Sequence, residues 1–137
     1  MPNETAVVRT PGAKRAGPGE HLFDLAKLAQ MNKIKGGPGY SSVEGSCVEG
    51  DRMIVALMRM PAGTGAELHS HPNEQWIYVL EGTFRASIGG KEIEAKPGSL
   101  LYVPSNTIHG GRATADSDVV FFTVKDASHG LHGIKAA

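Results

Sequence analysis

At 137 residues the chain is long enough to bury one hydrophobic core and too short for two. Its 40% hydrophobic and 20% charged residues exclude a disordered chain, and fourteen basic against fourteen acidic side chains leave neither net charge nor a basic stripe for nucleic acid. No apolar run is long enough to cross a bilayer, the N-terminus lacks a signal-peptide layout, and the single Cys47 can form no intrachain disulfide, so the expectation is a cytoplasmic protein without a membrane partner.

Residues 1–19 are rich in Pro, Gly and isolated charges without periodicity, and read as an arm. Leu22, Leu25, Leu28 and Ala29 then recur at helical spacing, predicting a short amphipathic helix over Glu20–Gln30, stopped by Gly36-Gly37-Pro38-Gly39. From Tyr40 onward the chain reads as short strands. They are expected at Ser41–Val48, Arg52–Met60, Glu67–His71, Gln75–Leu80, Thr83–Ile88, Glu92–Ala95, Ser99–Val103, Thr107–Arg112 and Asp118–Val124. Gly89-Gly90 marks a tight hairpin, because glycine accepts the positive φ such a turn demands. This even spacing of short strands, with eighteen glycines and eight prolines spread between them, predicts an all-β sandwich or barrel.

The stretch Gly63–Gly82, GTGAELHSHPNEQWIYVLEG, carries the chemistry. Side chains alternate along a strand, so His69 and His71 point the same way and can bind one metal ion. Pro72 closes the strand after the second imidazole, and the returning chain can bring Gln75 to the same centre. A further ligand must come from a distant strand, and His109 is the natural candidate. It stands in PGSLLYVPSNTIHG, where Gly98 opens a strand and Pro104 ends it.

These two stretches resemble the paired motifs of the cupin superfamily. In the first, five residues separate Gly63 from His69, one separates the histidines, three lead to Gln75 and six more to Gly82. In the second, five residues separate Gly98 from Pro104, and His109 lies five positions beyond. Three positions depart from the pattern: Gln75 replaces the usual glutamate, Asn106 replaces a turn glycine, and Ala113 replaces a frequent asparagine. The resemblance implies a single jelly-roll-like cupin β-barrel over residues 40–126, with an N-terminal arm and short helix over 1–39 and a C-terminal tail over 127–137. It also implies one divalent transition metal (Fe, Mn, Ni or Zn) on His69, His71, Gln75 and His109, since imidazole suits several such ions.

Two further residues are candidates for proton transfer. Glu67 shares strand parity with His69 and His71 and is a candidate general base, or else a glutamate at the solvated end of its strand. Tyr102 lies in the continuous apolar run Leu100–Val103, which gives no parity, so it is either core or an acid/base near the metal. Trp76 and Tyr78 fall opposite Gln75 in parity and are expected on the outer face. The strand holding Met53, Ile54, Val55, Leu57, Met58 and Met60 is apolar on both sides, which predicts a homodimer. The run HSHPNEQWIYVLEG is similar to small cupins that open unsaturated uronate rings. The expected function is therefore a metal-dependent isomerase or lyase acting on a small, anionic, carboxylated metabolite. An iron-dependent dioxygenase and a non-catalytic small-molecule binder are the alternatives.

Overall fold

The computed structural model describes residues 7–136. Twelve strands and one helix follow in order: β1 (Lys14–Arg15), α1 (Leu25–Met31), β2 (Ile34–Lys35), β3 (Glu44–Glu49), β4 (Met53–Met60), β5 (Gly65–Ser70), β6 (Gln75–Glu81), β7 (Phe84–Ile88), β8 (Lys91–Ala95), β9 (Leu100–Val103), β10 (His109–Ala113), β11 (Val119–Asp126) and β12 (Ile134–Lys135). Every strand expected after Tyr40 is present. β12 is an addition, formed in the tail.

The strands form two sheets that pack as a jelly-roll sandwich. One has seven strands in the order β1-β3-β4-β11-β6-β9, with β2 also on β3; the other has five, in the order β12-β5-β10-β7-β8. The two are hydrogen-bonded as separate sheets, so the expected barrel takes the form of a two-layer sandwich. Neighbouring strands are mostly antiparallel and distant in sequence, as when β11 pairs with both β4 and β6.

Period-two alternation decides what enters the core. Gln75, Ile77 and Val79 of β6 are buried while Trp76, Tyr78 and Leu80 are exposed. On β4, Ile54, Ala56, Met58 and Met60 point inward; on β11, Val119, Phe121, Thr123 and Lys125 do. Phe84 and Ala86 of β7 meet these side chains from the second sheet, with Phe84 stacked 6.5 Å from Phe121.

The helix is shorter than its spacing predicts. Asp24 caps it, its carboxylate accepting the Lys27 N–H at 3.0 Å, so the first turn starts at Leu25 instead of Glu20. None of its residues is buried, and Leu22, counted toward the apolar stripe, is 93% exposed.

One turn positions the site. Asn106 adopts φ +59°, tolerable for asparagine, and its N–H donates to His71 O at 2.8 Å. Ser105 Oγ donates to Pro72 O beside it. The turn leading into β10 is thereby tied to the end of the first motif, which brings His109 onto His69 and His71.

Candidate metal centre

His69, His71 and His109 are buried, and one ring nitrogen of each lies within 4.8 Å of the others. His109 and His69 are register partners on β10 and β5, with ring centroids 4.2 Å apart. His71, just beyond β5, stands edge-on to His109 at 4.7 Å.

The backbone assigns the tautomers. His69 Nδ1 lies 2.7 Å from Glu67 O, His71 Nδ1 2.9 Å from Asn73 O, and His109 Nδ1 2.8 Å from Thr107 O. A carbonyl only accepts, so each Nδ1 carries the proton and each Nε2 presents a lone pair. Burial disfavours the imidazolium form, holding His71 at about 4 and His109 at about 3 and lowering His69 as well. His109 Nε2 is buried without any hydrogen-bond partner.

Gln75 is oriented the same way. The Thr123 hydroxyl donates to Trp76 O at 2.8 Å, so Thr123 Oγ1 accepts from Gln75 Nε2 at 2.9 Å. The amide oxygen is thereby turned inward, 3.0 Å from His71 Nε2. Both atoms bear lone pairs, and neither has a proton to share. An orphaned imidazole nitrogen and two acceptors facing each other fit a bound cation. Three histidines that could hold a metal, with Gln75 Oε1 as a fourth donor, therefore fit a divalent ion.

The two proton-transfer candidates are placed elsewhere. Glu67 is at the surface, its carboxylate 3.1 Å from Lys135 Nζ and its side chain 58% exposed. A bulge explains this: β10 advances from His109 to Gly111 while β5 goes from His69 back to Ala66, one residue more. Ala66 and His69 both face the interior, and Glu67 and Leu68 both face out. Glu67 contributes its carbonyl, not its carboxylate. Tyr102 is on the outer face as well, because β9 alternates with Leu101 and Val103 inward. Its hydroxyl donates to Glu74 Oε1 at 2.6 Å and its ring lies 4.6 Å from Trp76, so it is remote from the histidines.

Residues that sequence reasoning missed complete the site. Asn73 is fully buried, its amide donating to Asp126 O at 2.9 Å and His129 O at 3.0 Å, which fixes the carbonyl that holds His71. Tyr40 packs its ring 4.5 Å from His69, and its hydroxyl accepts the Gly133 N–H at 2.6 Å. Lys125 lines the same cavity, and burial pushes its ammonium down to about 7. Its inward parity with Phe121 and Thr123 was the available signal; a strand ending at Val124 left it out. The cavity, of about 70 Å³, is otherwise walled by apolar groups including Met58, Ile77 and Phe84.

The chain belongs to the cupin family: the Cupin domain model matches residues 56–125. It is 31% identical to an oxalate-binding protein of Thermotoga maritima over 74 residues, covering 52% of this chain and 60% of the relative. It is 30% identical to quercetin 2,3-dioxygenase of Bacillus subtilis over 108 residues, 64% of this chain and 32% of the relative. The chain thus spans less than two thirds of the length of either. Among solved structures, KdgF from Halomonas sp. superposes with a TM-score of 0.58 at 21% identity, over 62% of this chain and 78% of that one. A predicted oxalate decarboxylase from Thermotoga maritima superposes with a TM-score of 0.61 at 23% identity, over 69% and 90%. At these identities the likeness is one of fold. No helix among the described residues is long and apolar enough to cross a membrane.

Proposed function

We propose that the protein is a metal-dependent enzyme of isomerase or lyase type acting on a small, oxygen-rich carboxylated metabolite. The observation that carries this is the donor set: three neutral imidazoles and one amide oxygen, with no carboxylate among them. A divalent ion held there keeps its full charge and supplies Lewis-acid stabilisation to an anionic oxygen. His69, His71 and His109 would hold it through Nε2, and the backbone carbonyls at Nδ1 keep each ring in the tautomer that leaves Nε2 free to ligate. Thr123 keeps the Gln75 oxygen pointed inward. Ile77 and Phe84 exclude bulk water, which strengthens each electrostatic contact inside. The similarity to an oxalate-binding protein also favours a small acid.

Elemental analysis of the purified protein beside His69→Ala/His109→Ala tests the centre. Near-stoichiometric zinc, nickel or manganese in the wild type, lost in the variant, is the expected result, followed by turnover in screens with uronates and related acids. Protein that takes up no ion after incubation with each overturns the reading.

Two other readings have a specific observation each. The 30% identity to quercetin 2,3-dioxygenase favours an iron-dependent dioxygenase, whose oxygen consumption would vanish on iron removal and not return with zinc. The likeness to an oxalate-binding protein favours a non-catalytic binder, which would hold its ligand without turnover.

The proposal extends to assembly and location. A homodimer through the outer face of the larger sheet is supported by exposed Trp76, Tyr78, Leu100 and Tyr102, with Val55 and Leu57 half-buried on the same sheet. Light scattering at twice the 14.4 kDa chain mass is expected, and a monomer overturns it. A free, buried Cys47 thiol is compatible with the cytoplasm.

A further inference from the structure

Lys125 brings an amine that can take up a proton and a positive charge into the cavity, and has no part in holding the proposed ion. It lies near the end of β11, 5% exposed, with its Cα opposite that of Gln75 in the β11–β6 register. Direct antiparallel partners present their side chains to one face with Cβ atoms about 5 Å apart. The lysine therefore rises beside Gln75, into the cavity that His69 and His109 also line.

Its partners do not account for its charge. Nζ donates to Leu131 O at 2.5 Å, one backbone acceptor for an ammonium with three donors. Among the described residues no carboxylate is paired with it. Buried Glu49 on β3 is engaged elsewhere, accepting the Thr10 N–H at 3.0 Å and lying 3.9 Å from Arg9. The Cys47 thiol, pushed up to about 12 by burial, is neutral. The histidines facing it carry no negative charge in either protonation state. A buried cation without a counter-ion destabilises the fold, and an apolar side chain of similar length would pack the same space without that cost. Stability does not explain a lysine here. An anionic ligand does.

We propose that Lys125 is the anion receptor of the interior site, its ammonium taking a carboxylate of a small acid whose other oxygens face the three-histidine centre. Only the second half of this rests on the metal-centre reading. The cavity of about 70 Å³ has room for the carboxylate end of such an acid, as a short dicarboxylate or a 2-oxo or 2-hydroxy acid presents it. The apolar walls leave Lys125 as the charged group that selects for the anion. On binding, the carboxylate takes the donors that Leu131 O leaves unused.

Calorimetric titration of oxalate into wild type and Lys125→Met, each metal-loaded and metal-free, tests this, with metal content measured alongside. Lys125→Met should keep the wild-type metal content and bind oxalate about thirtyfold more weakly, or worse, in both forms. Oxalate affinity within threefold of wild type overturns the proposal. So does a wild type that binds neither oxalate nor pyruvate at millimolar concentration. If the wild type takes up no metal, the metal-centre reading fails by itself, and the metal-free titrations still decide the role of Lys125. Oxamide, the neutral isostere, frees the test from the folding of the variant: equal binding of oxamide and oxalate to metal-free wild type overturns the assignment.

Discussion

His71 Nε2 and Gln75 Oε1 stand 3.0 Å apart with no proton between them, each held by a hydrogen bond on its far side. Without a cation the contact is repulsive, and with one both atoms become donors to a common centre. Gln75→Glu should therefore bind the ion more tightly, by about tenfold, since a charged acceptor contributes roughly 1.4 kcal/mol more than a neutral one. It should also weaken anion binding, because the carboxylate cancels part of the ion's charge. Competition against a chromophoric chelator reads the first effect, and oxalate titration reads the second. Equal metal affinity in both proteins would exclude Gln75 as a ligand.

Thr123 acts on the metal through Gln75. Its hydroxyl is satisfied on one side by Trp76 O, so it can only accept from the amide, and this decides which end of the amide enters the site. Thr123→Val preserves shape and removes that decision. Metal affinity is expected to fall about 10- to 100-fold, the usual cost of losing a partner that orients a ligand. The far-ultraviolet circular dichroism should not change. An unchanged chelator competition curve would show that the amide orients itself without the hydroxyl.

The period-two patterns were legible in the sequence: the His69/His71 pair, the inward set Gln75, Ile77 and Val79, and the turns at Gly89-Gly90 and Pro104–Asn106. Each is local, depending on strand alternation or on a residue that tolerates an unusual backbone. Long-range pairing hid the rest. The bulge that turns Glu67 outward exists only where β5 meets β10, some forty residues away in the chain, and strand parity alone cannot see it. Tyr102 sat in a run with no polar residue to mark a face. Lys125 lay one residue past the expected end of its strand, and β12 forms in a Gly-rich tail because the open edge of β5 accepts it.

Because Glu67 and Tyr102 face solvent, their loss should leave the centre intact. Glu67→Gln removes a surface ion pair with Lys135, a kind of contact contributing about 0–1 kcal/mol, and preserves the backbone carbonyl that holds His69. Tyr102→Phe removes the hydrogen bond to Glu74 and keeps the tilted ring contact with Trp76. Metal content and turnover of both variants should stay within about twofold of wild type, a difference under 0.5 kcal/mol. A large loss of turnover at full metal content would return either residue to the reaction.

The buried imidazoles make the metal-free protein sensitive to mild acid. An unfolded histidine titrates at 6.5, whereas burial holds His71 at about 4 and His109 at about 3 and lowers His69. Below pH 6.5 the unfolded chain therefore takes up protons that the native state refuses. Stability is complete above 6.5 and is lost as pH falls toward the folded values. The slope is about 1.4 kcal/mol per pH unit for each histidine that stays neutral in the fold while its unfolded counterpart charges. Asp118 and Asp126, whose carboxyls are held below 3.8, add to the loss only at lower pH. Urea denaturation of chelator-treated protein at pH 7, 5.5 and 4.5 should show this decline, and His109→Phe should make it shallower by one histidine's share. A flat profile down to pH 4.5 would mean that the three rings are not buried as neutral imidazoles, and would undercut their reading as a pre-set ligand shell.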